Sequence, residues 1–168
     1  LTLKITECKK LANLEDIATC NKLQTLRLYD CRSITDLSPL AMCTRLEDLD
    51  MEECSNIIDV SPVSSCTRLQ RLSLRHCECF KDISPLEECT RLETLDLGMC
   101  GGFVDISPLA NLTRLKELHL SGDCSITDIS PLATITRLEF LNLGCCEYIT
   151  DIAPLANLTR LNELYLND

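Results

Sequence analysis

Residues 112–156 read LTRLKELHLSGDCSITDISPLATITRLEFLNLGCCEYITDIAPLA. The second half of this stretch restates the first with small edits. Alignment on the Leu that follows Thr-Arg gives Leu46, Leu69, Leu92, Leu115, Leu138 and Leu161, each 23 residues after the last. Leu23, after Asn-Lys, starts the same series. With that Leu as place 1, apolar residues fall at places 4 and 6 and then at 9, 12, 15, 18 and 21. The Leu-x-Leu at places 4 and 6 is the alternation of a strand. A spacing of three cannot be met by a strand, so each copy predicts one short strand, a turn and a tight return. Six full copies run from Leu23 to Arg160, with a partial copy before them and a clipped one after.

The return is written as Asp-Ile-Ser-Pro-Leu or a close variant. Ser38, Ser61, Ser84, Ser107 and Ser130 each precede Pro, which reads as the N-cap and first position of a helical turn. Only four or five residues remain before the next strand, so a 3₁₀ turn fits better than an α-helix. All 6 Pro occupy place 17, outside the strand. One copy cannot bury its own apolar side, whereas a stack of copies buries a continuous column. The expected fold is an α/β repeat. Residues 1–168 form one solenoid, with a parallel sheet spaced about 4.8 Å per strand and 3₁₀ turns on the opposite, convex side. Aromatics are only 4% of the 168 residues, so an aliphatic core is expected.

This LxxLxLxxC pattern resembles the leucine-rich repeat family over essentially the whole chain. ITDISPLATITRLEFLNLG is similar to the repeats of bacterial internalins and of a phosphatase regulatory subunit. Cys at place 9 followed by Ile at place 12 is closer to the cysteine-containing subclass and most similar to trypanosomatid proteins, some of them described as adenylate cyclase regulators. The resemblance implies a curved solenoid whose concave sheet binds proteins, with no cofactor, and which delivers partners to a larger assembly such as a cyclase or a ubiquitin ligase. The family's usual capping segments are not recognisable, and there is no initiator Met or leader pattern, so a fragment of a longer chain is expected. Uncapped ends predict aggregation or end-to-end self-association.

The formal net charge of −10 argues against a nucleic-acid partner. No apolar run of about 18 residues marks a membrane span. Of the 13 Cys, Cys8, Cys31, Cys54, Cys77, Cys100 and Cys146 sit at place 9, and Cys20, Cys43, Cys66 and Cys89 at place 21. Regular columns are explained by packing, so buried free thiols and a reducing, cytoplasmic location are expected. Disulfides are the rival reading. HCEC at His76–Cys79 is the one cluster with ligand-like density, and it lacks a second pair to complete a metal site. Asn111 and Asn157 head N-L-T acceptor motifs that would suit an extracellular adhesin or receptor ectodomain, although Leu and Thr occur at those places regardless. Asp36, Asp59, Asp82, Asp105, Asp128 and Asp151 form a column expected to accept turn N–H groups rather than to bind Ca²⁺. Arg45, Arg68, Arg91, Arg114, Arg137 and Arg160 form an edge column expected to be solvated or paired. With two His and no nucleophile or phosphate-loop motif, no enzyme is expected. The copy that starts at Leu115 breaks the Cys column with Asp123 and Cys124, where the turn is expected to shift.

The edited letters lie at places 3, 5, 7 and 8. Repetition builds a scaffold and the edits write a binding surface. Asp48, Asp50 and Glu52 are flanked by Arg27, Arg71 and Arg75 on neighbouring strands, so that charge is expected to cancel internally. The other half carries His119, Phe140 and Tyr165 beside Gly98, Gly122 and Gly144, gaps through which another chain can approach. Phe140 stands in a column otherwise filled by Thr, Asp, Arg or Glu. It is the expected centre of a hot spot for an apolar side chain with basic flanks, together with Asn142, Glu117 and Asp96, and with Arg75 and Tyr29 further along the face.

Overall fold

The structure, a computed structural model, describes residues 1–122 and 125–166. Eight strands form one sheet in chain order: β1 (Thr2–Thr6), β2 (Thr25–Tyr29), β3 (Asp48–Asp50), β4 (Arg71–Ser73), β5 (Thr94–Asp96), β6 (Glu117–His119), β7 (Phe140–Asn142) and β8 (Glu163–Tyr165). Every neighbour pair is parallel and offset by one repeat, so Leu49 faces Leu72 and Leu72 faces Leu95. Like places therefore stack in columns across the sheet. Between each strand and the next lies one 3₁₀ turn, seven among the described residues, running from η1 (Glu15–Thr19) to η7 (Ala153–Asn157), each five residues long.

Backbone hydrogen bonding explains the spacing of three. Leu40 N–H donates to Leu37 O at 2.9 Å, Cys43 N–H to Leu40 O at 2.8 Å, and Leu46 N–H to Cys43 O at 2.9 Å. Each inward residue is thus linked to the inward residue three before it, and the return is a chain of single 3₁₀ turns. A 3₁₀ turn eclipses residues three apart, which puts one apolar side chain per turn into the core. No described segment forms an α-helix.

The start of each turn differs from the expected Ser cap. The residue before Ser38 is Leu37, which makes no side-chain cap. The capping group is Asp36, whose Oδ1 accepts Ser38 N–H at 2.8 Å while Ser38 Oγ donates to Oδ2 at 3.0 Å. Asp59, Asp82, Asp105, Asp128 and Asp151 accept the corresponding N–H in the same way, at 2.8 Å. A carboxylate can span two donors where a hydroxyl can only reach one, so the acid takes the capping role and Ser supports it. The Asp column is thus turn chemistry, as expected.

The core is a single column of Leu, Ile, Val and Cys, with two exceptions to an aliphatic interior. Phe80 and Phe103 are buried at place 12 of adjacent repeats and stack with ring centroids 6.2 Å apart. Their bulk replaces Ile at that place in the other copies. The core thins at the C-terminal end, where β8 is exposed throughout and η7 buries nothing.

Both Cys columns do more than fill volume. The thiols of Cys54, Cys77 and Cys100 donate to Leu28 O, Met51 O and Leu74 O at 3.0, 3.1 and 2.9 Å. Cys43, Cys66 and Cys89 donate to Ile17 O, Leu40 O and Val63 O at 3.6, 3.5 and 3.5 Å. Each bond reaches back 26 residues, into the preceding repeat. Burial pushes the thiols of Cys54, Cys66 and Cys100 up to about 12 and that of Cys89 up to about 11. Burial fails at the edges: Cys8, Cys79 and Cys145 are exposed and Cys20 is half-buried. Cys146 corrects the expectation of free thiols throughout, because it is disulfide-bonded. The expectations for Asp123 and Cys124 lie outside the described residues.

Place 8 carries a further regularity. Glu7, Asp30, Glu53, His76, Met99 and Cys145 all adopt positive φ, between 51° and 60°. Gly122 at 92° is the only Gly in this column. The left-handed residue ends the strand and turns place 9 inward. It is held by an N–H bond to the next repeat, as in His76 N to Gly98 O at 3.0 Å.

Candidate functional site

The outward face of the sheet divides into two chemically distinct halves. On β2–β4 the charges meet one another. Asp48 lies 2.9 Å from Arg27 and 3.8 Å from Arg71, and Glu52 lies 3.7 Å from Arg75. Asp48 beside Arg27, through its hydrogen bond and its charge, holds the guanidinium pKa above its ordinary value. The expected internal cancellation is therefore present for Asp48 and Glu52. Asp50 instead accepts Glu52 N–H at 3.2 Å. Tyr29 belongs to this half; its hydroxyl donates to Glu53 at 3.0 Å, and it does not join the aromatic residues further along.

On β6–β8 the face is aromatic. The register places Phe140 between Glu117 and Glu163, and Asn142 between His119 and Tyr165. Phe140 therefore sits diagonally between the two other rings. Its centroid is 4.6 Å from that of His119, tilted 32°, and 5.4 Å from that of Tyr165, tilted 38°. These are tilted contacts in the favourable range for aromatic pairs. Three successive strands thus carry one continuous row of rings. His119 and Phe140 are half-buried and Tyr165 is 44% exposed.

Asp96 and Asn142 have local duties as well. Asp96 Oδ1 accepts Gly98 N–H at 2.8 Å, and Asn142 Oδ1 accepts Gly144 N–H at 2.9 Å. Gly98 fits this arrangement, because a Cβ there would stand 3.0 Å from Asp96 Oδ1. Its lack of a side chain makes room for the neighbouring carboxylate rather than an open gap.

Beside the row is a hollow of about 270 Å³, lined by Arg75, Met99, Ser121, Gly122, Asn142, Gly144, Cys145 and Tyr165. It joins Arg75 to the aromatic end of the face. Met99 lies directly over Gly122, where an added Cβ would come within 2.0 Å of the thioether sulfur. Met99 and Cys145 occupy place 8, one of the edited places, but the repeat did not single them out, because their exposure follows from the left-handed turn there. The lone Gly in that column was the available signal.

Among the described residues no cluster of three or more His, Cys, Asp or Glu is placed to hold a metal ion, and Cys77 of HCEC points into the core. The Arg column is exposed and, among the described residues, meets no carboxylate within ion-pair distance. No described helix is long and apolar enough to cross a membrane.

Among curated proteins none matches the chain. Among solved structures, an internalin (inlF) of Listeria monocytogenes is 32% identical over 97% of this chain, with a TM-score of 0.86. An internalin C2 of the same organism is 27% identical over 98% of this chain, with a TM-score of 0.80. The ectodomain of the Arabidopsis receptor kinase HAESA, solved with a peptide hormone ligand, shares the fold at 22% identity over 89% of this chain and a TM-score of 0.67. The chain spans 46% of the first of these structures, 80% of the second and 27% of the third. A family model described as Leucine Rich repeats (2 copies) matches residues 21–65, 67–111, 90–134 and 113–157. With eight parallel strands joined in succession through 3₁₀ turns, the chain belongs to the leucine-rich repeat family.

Proposed function

We propose that this protein is a non-catalytic interaction module that binds a partner protein on its concave sheet, anchored at the row His119–Phe140–Tyr165. The observation that carries this reading is the half-buried Phe140 in contact with both other rings, in a column that otherwise holds small or charged residues. Rigid aromatic rings on a scaffold are the residues most often found at the energetic centre of an interface. HAESA, a neighbour in fold, is a receptor with a peptide ligand, and supports a role in recognition. The test compares wild-type protein with Phe140→Ala. Partners captured by the wild type are purified and titrated against both. The alanine variant should bind at least about 30-fold more weakly, roughly 2 kcal/mol, with unchanged thermal stability. Equal affinity would move the site to the charged half around Asp50 and Arg75.

We place the protein in a reducing compartment on the strength of its buried free thiols. Cys146, being disulfide-bonded, favours the second reading, an extracellular ectodomain. Thiol titration of native material in denaturant separates them. A full complement of free Cys supports the first, and a persistent disulfide or glycan on Asn111 or Asn157 supports the second.

A further inference from the structure

The two halves of the sheet treat their charges differently, and that difference specifies a partner. On β2–β4 acids and bases neutralise each other across strands. On the outward positions of β5–β8 the described residues include Asp96, Glu117 and Glu163 and no Lys or Arg. None of these three carboxylates meets a cation within ion-pair distance, and Lys116, next to Glu117, is committed to Glu93 at 2.6 Å. Glu117 and Glu163 stand directly to either side of Phe140. Strand spacing is about 4.8 Å, so a flat cation laid on the Phe140 ring would have a carboxylate within reach on both flanks. A ring face attracts a cation and the flanking acids accept its N–H groups. The hollow supplies the second element. Its floor is low at Ser121 and Gly144, which have little or no side chain, Met99 folds over Gly122, and Cys145 and Tyr165 complete the walls. Arg75 at its far rim is answered by Glu52 at 3.7 Å.

We infer that the ring row and the hollow form one groove for an extended basic segment of a partner protein, with an arginine or lysine over Phe140 between Glu117 and Glu163 and an apolar side chain against Met99, Cys145 and Tyr165. This rests on the concave-face reading above and adds the chemistry of the partner. From the Phe140 position to that of Gly144 is four residues, or about 13 Å of extended chain. The basic and apolar residues of the bound segment therefore stand about four apart. Asp96 accepts Gly98 N–H and Glu163 accepts the Tyr165 hydroxyl at 3.2 Å, but neither bond neutralises charge, so an acidic segment is repelled by three carboxylates and a purely apolar one leaves their charge unanswered.

The test is selection of a random heptapeptide phage library on the immobilised protein. Selected peptides should carry Arg or Lys and, three to five positions away, a large apolar residue. A synthetic copy of the best peptide should bind Glu117→Gln/Glu163→Gln about 10-fold more weakly and lose most of its salt dependence. Ser121→Leu, which fills the hollow, should weaken binding about 10-fold and leave the salt dependence intact. Phe140→Ala should weaken it at least 30-fold. Selected peptides without a basic residue, or a basic peptide indifferent to the double Gln variant, overturn this inference and leave the concave-face site standing. Indifference to Ser121→Leu overturns the apolar subsite. Failure to select any peptide sensitive to Phe140→Ala overturns the concave-face site and this inference with it.

Discussion

His76 sits at φ 57° in a column where only the copy starting at Leu115 supplies Gly. An L-residue pays roughly 1–2 kcal/mol for that backbone, and the bond from its N–H to Gly98 O holds it there. His76→Gly should therefore raise stability by about 0.5–1 kcal/mol, whereas His76→Val should lower it by about 1–2 kcal/mol, measured by urea denaturation. The reverse holds at Gly122, where any side chain meets Met99. The buried thiols make a second test at this scale. Their folded pKa values are raised by burial, so the stability they contribute is complete below the unfolded Cys value of about 8.5 and drains as pH rises toward 12. The denaturation midpoint should fall above about pH 9, and less steeply in Cys54→Ala. In native protein a thiol reagent should modify Cys8, Cys79 and Cys145 first.

The 3₁₀ turn is the element in which acid chemistry matters. Asp36, Asp82 and Asp128 are held below the ordinary carboxylate range, first by the Ser N–H and then by the Ser hydroxyl. Depressed values mean that the stability from these caps is present above the unfolded Asp value of about 3.9 and is lost as pH falls through the lower folded value. A triple Asp36→Asn/Asp82→Asn/Asp128→Asn variant should show a flatter loss of stability between about pH 4 and pH 2 than the wild type. Strand, turn and their columns were legible in the sequence because the side chains that build them recur every 23 residues. The capping Asp was visible as a column, but Ser-Pro suggested the wrong donor–acceptor pair, because a hydroxyl and a carboxylate two residues apart both suit a helical start. The aromatic row was legible for a similar reason, since Phe140 violates its column. The hollow was not, because it depends on where a left-handed turn throws Met99 and Cys145, and a pattern of letters carries no dihedral angles.

Over the whole molecule, stability is the sum of repeats and the interfaces between neighbours. Leu95 is fully buried between repeats, while Leu164 is 39% exposed on the last strand. Leu95→Ala should cost about 2–5 kcal/mol, and Leu164→Ala under about 1 kcal/mol. Hydrogen exchange should be slowest in β4–β6 and quicken toward both ends. Leu1, Ile152, Leu164 and Leu166 present apolar surface there, so the 168-residue chain should associate end to end, with a light-scattering mass that rises with concentration; a polar capping repeat fused to the last strand should return it to a monomer.

The sulfur bonds that reach back 26 residues make the repeat length an inherited unit of measure. Each thiol meets a carbonyl of the copy before it, always at the same offset of 26 residues. Excising residues 47–69, one whole period, would bring Leu46 next to Gln70 and let the severed ladders rejoin in step. Removing one residue more or fewer would leave the thiols whose bonds cross the junction, Cys77 and Cys89, facing the wrong carbonyl. Gain and loss of whole copies is thus the cheapest route by which this scaffold can lengthen or shorten, carrying its aromatic row nearer to or further from the charged half without redesigning the interior.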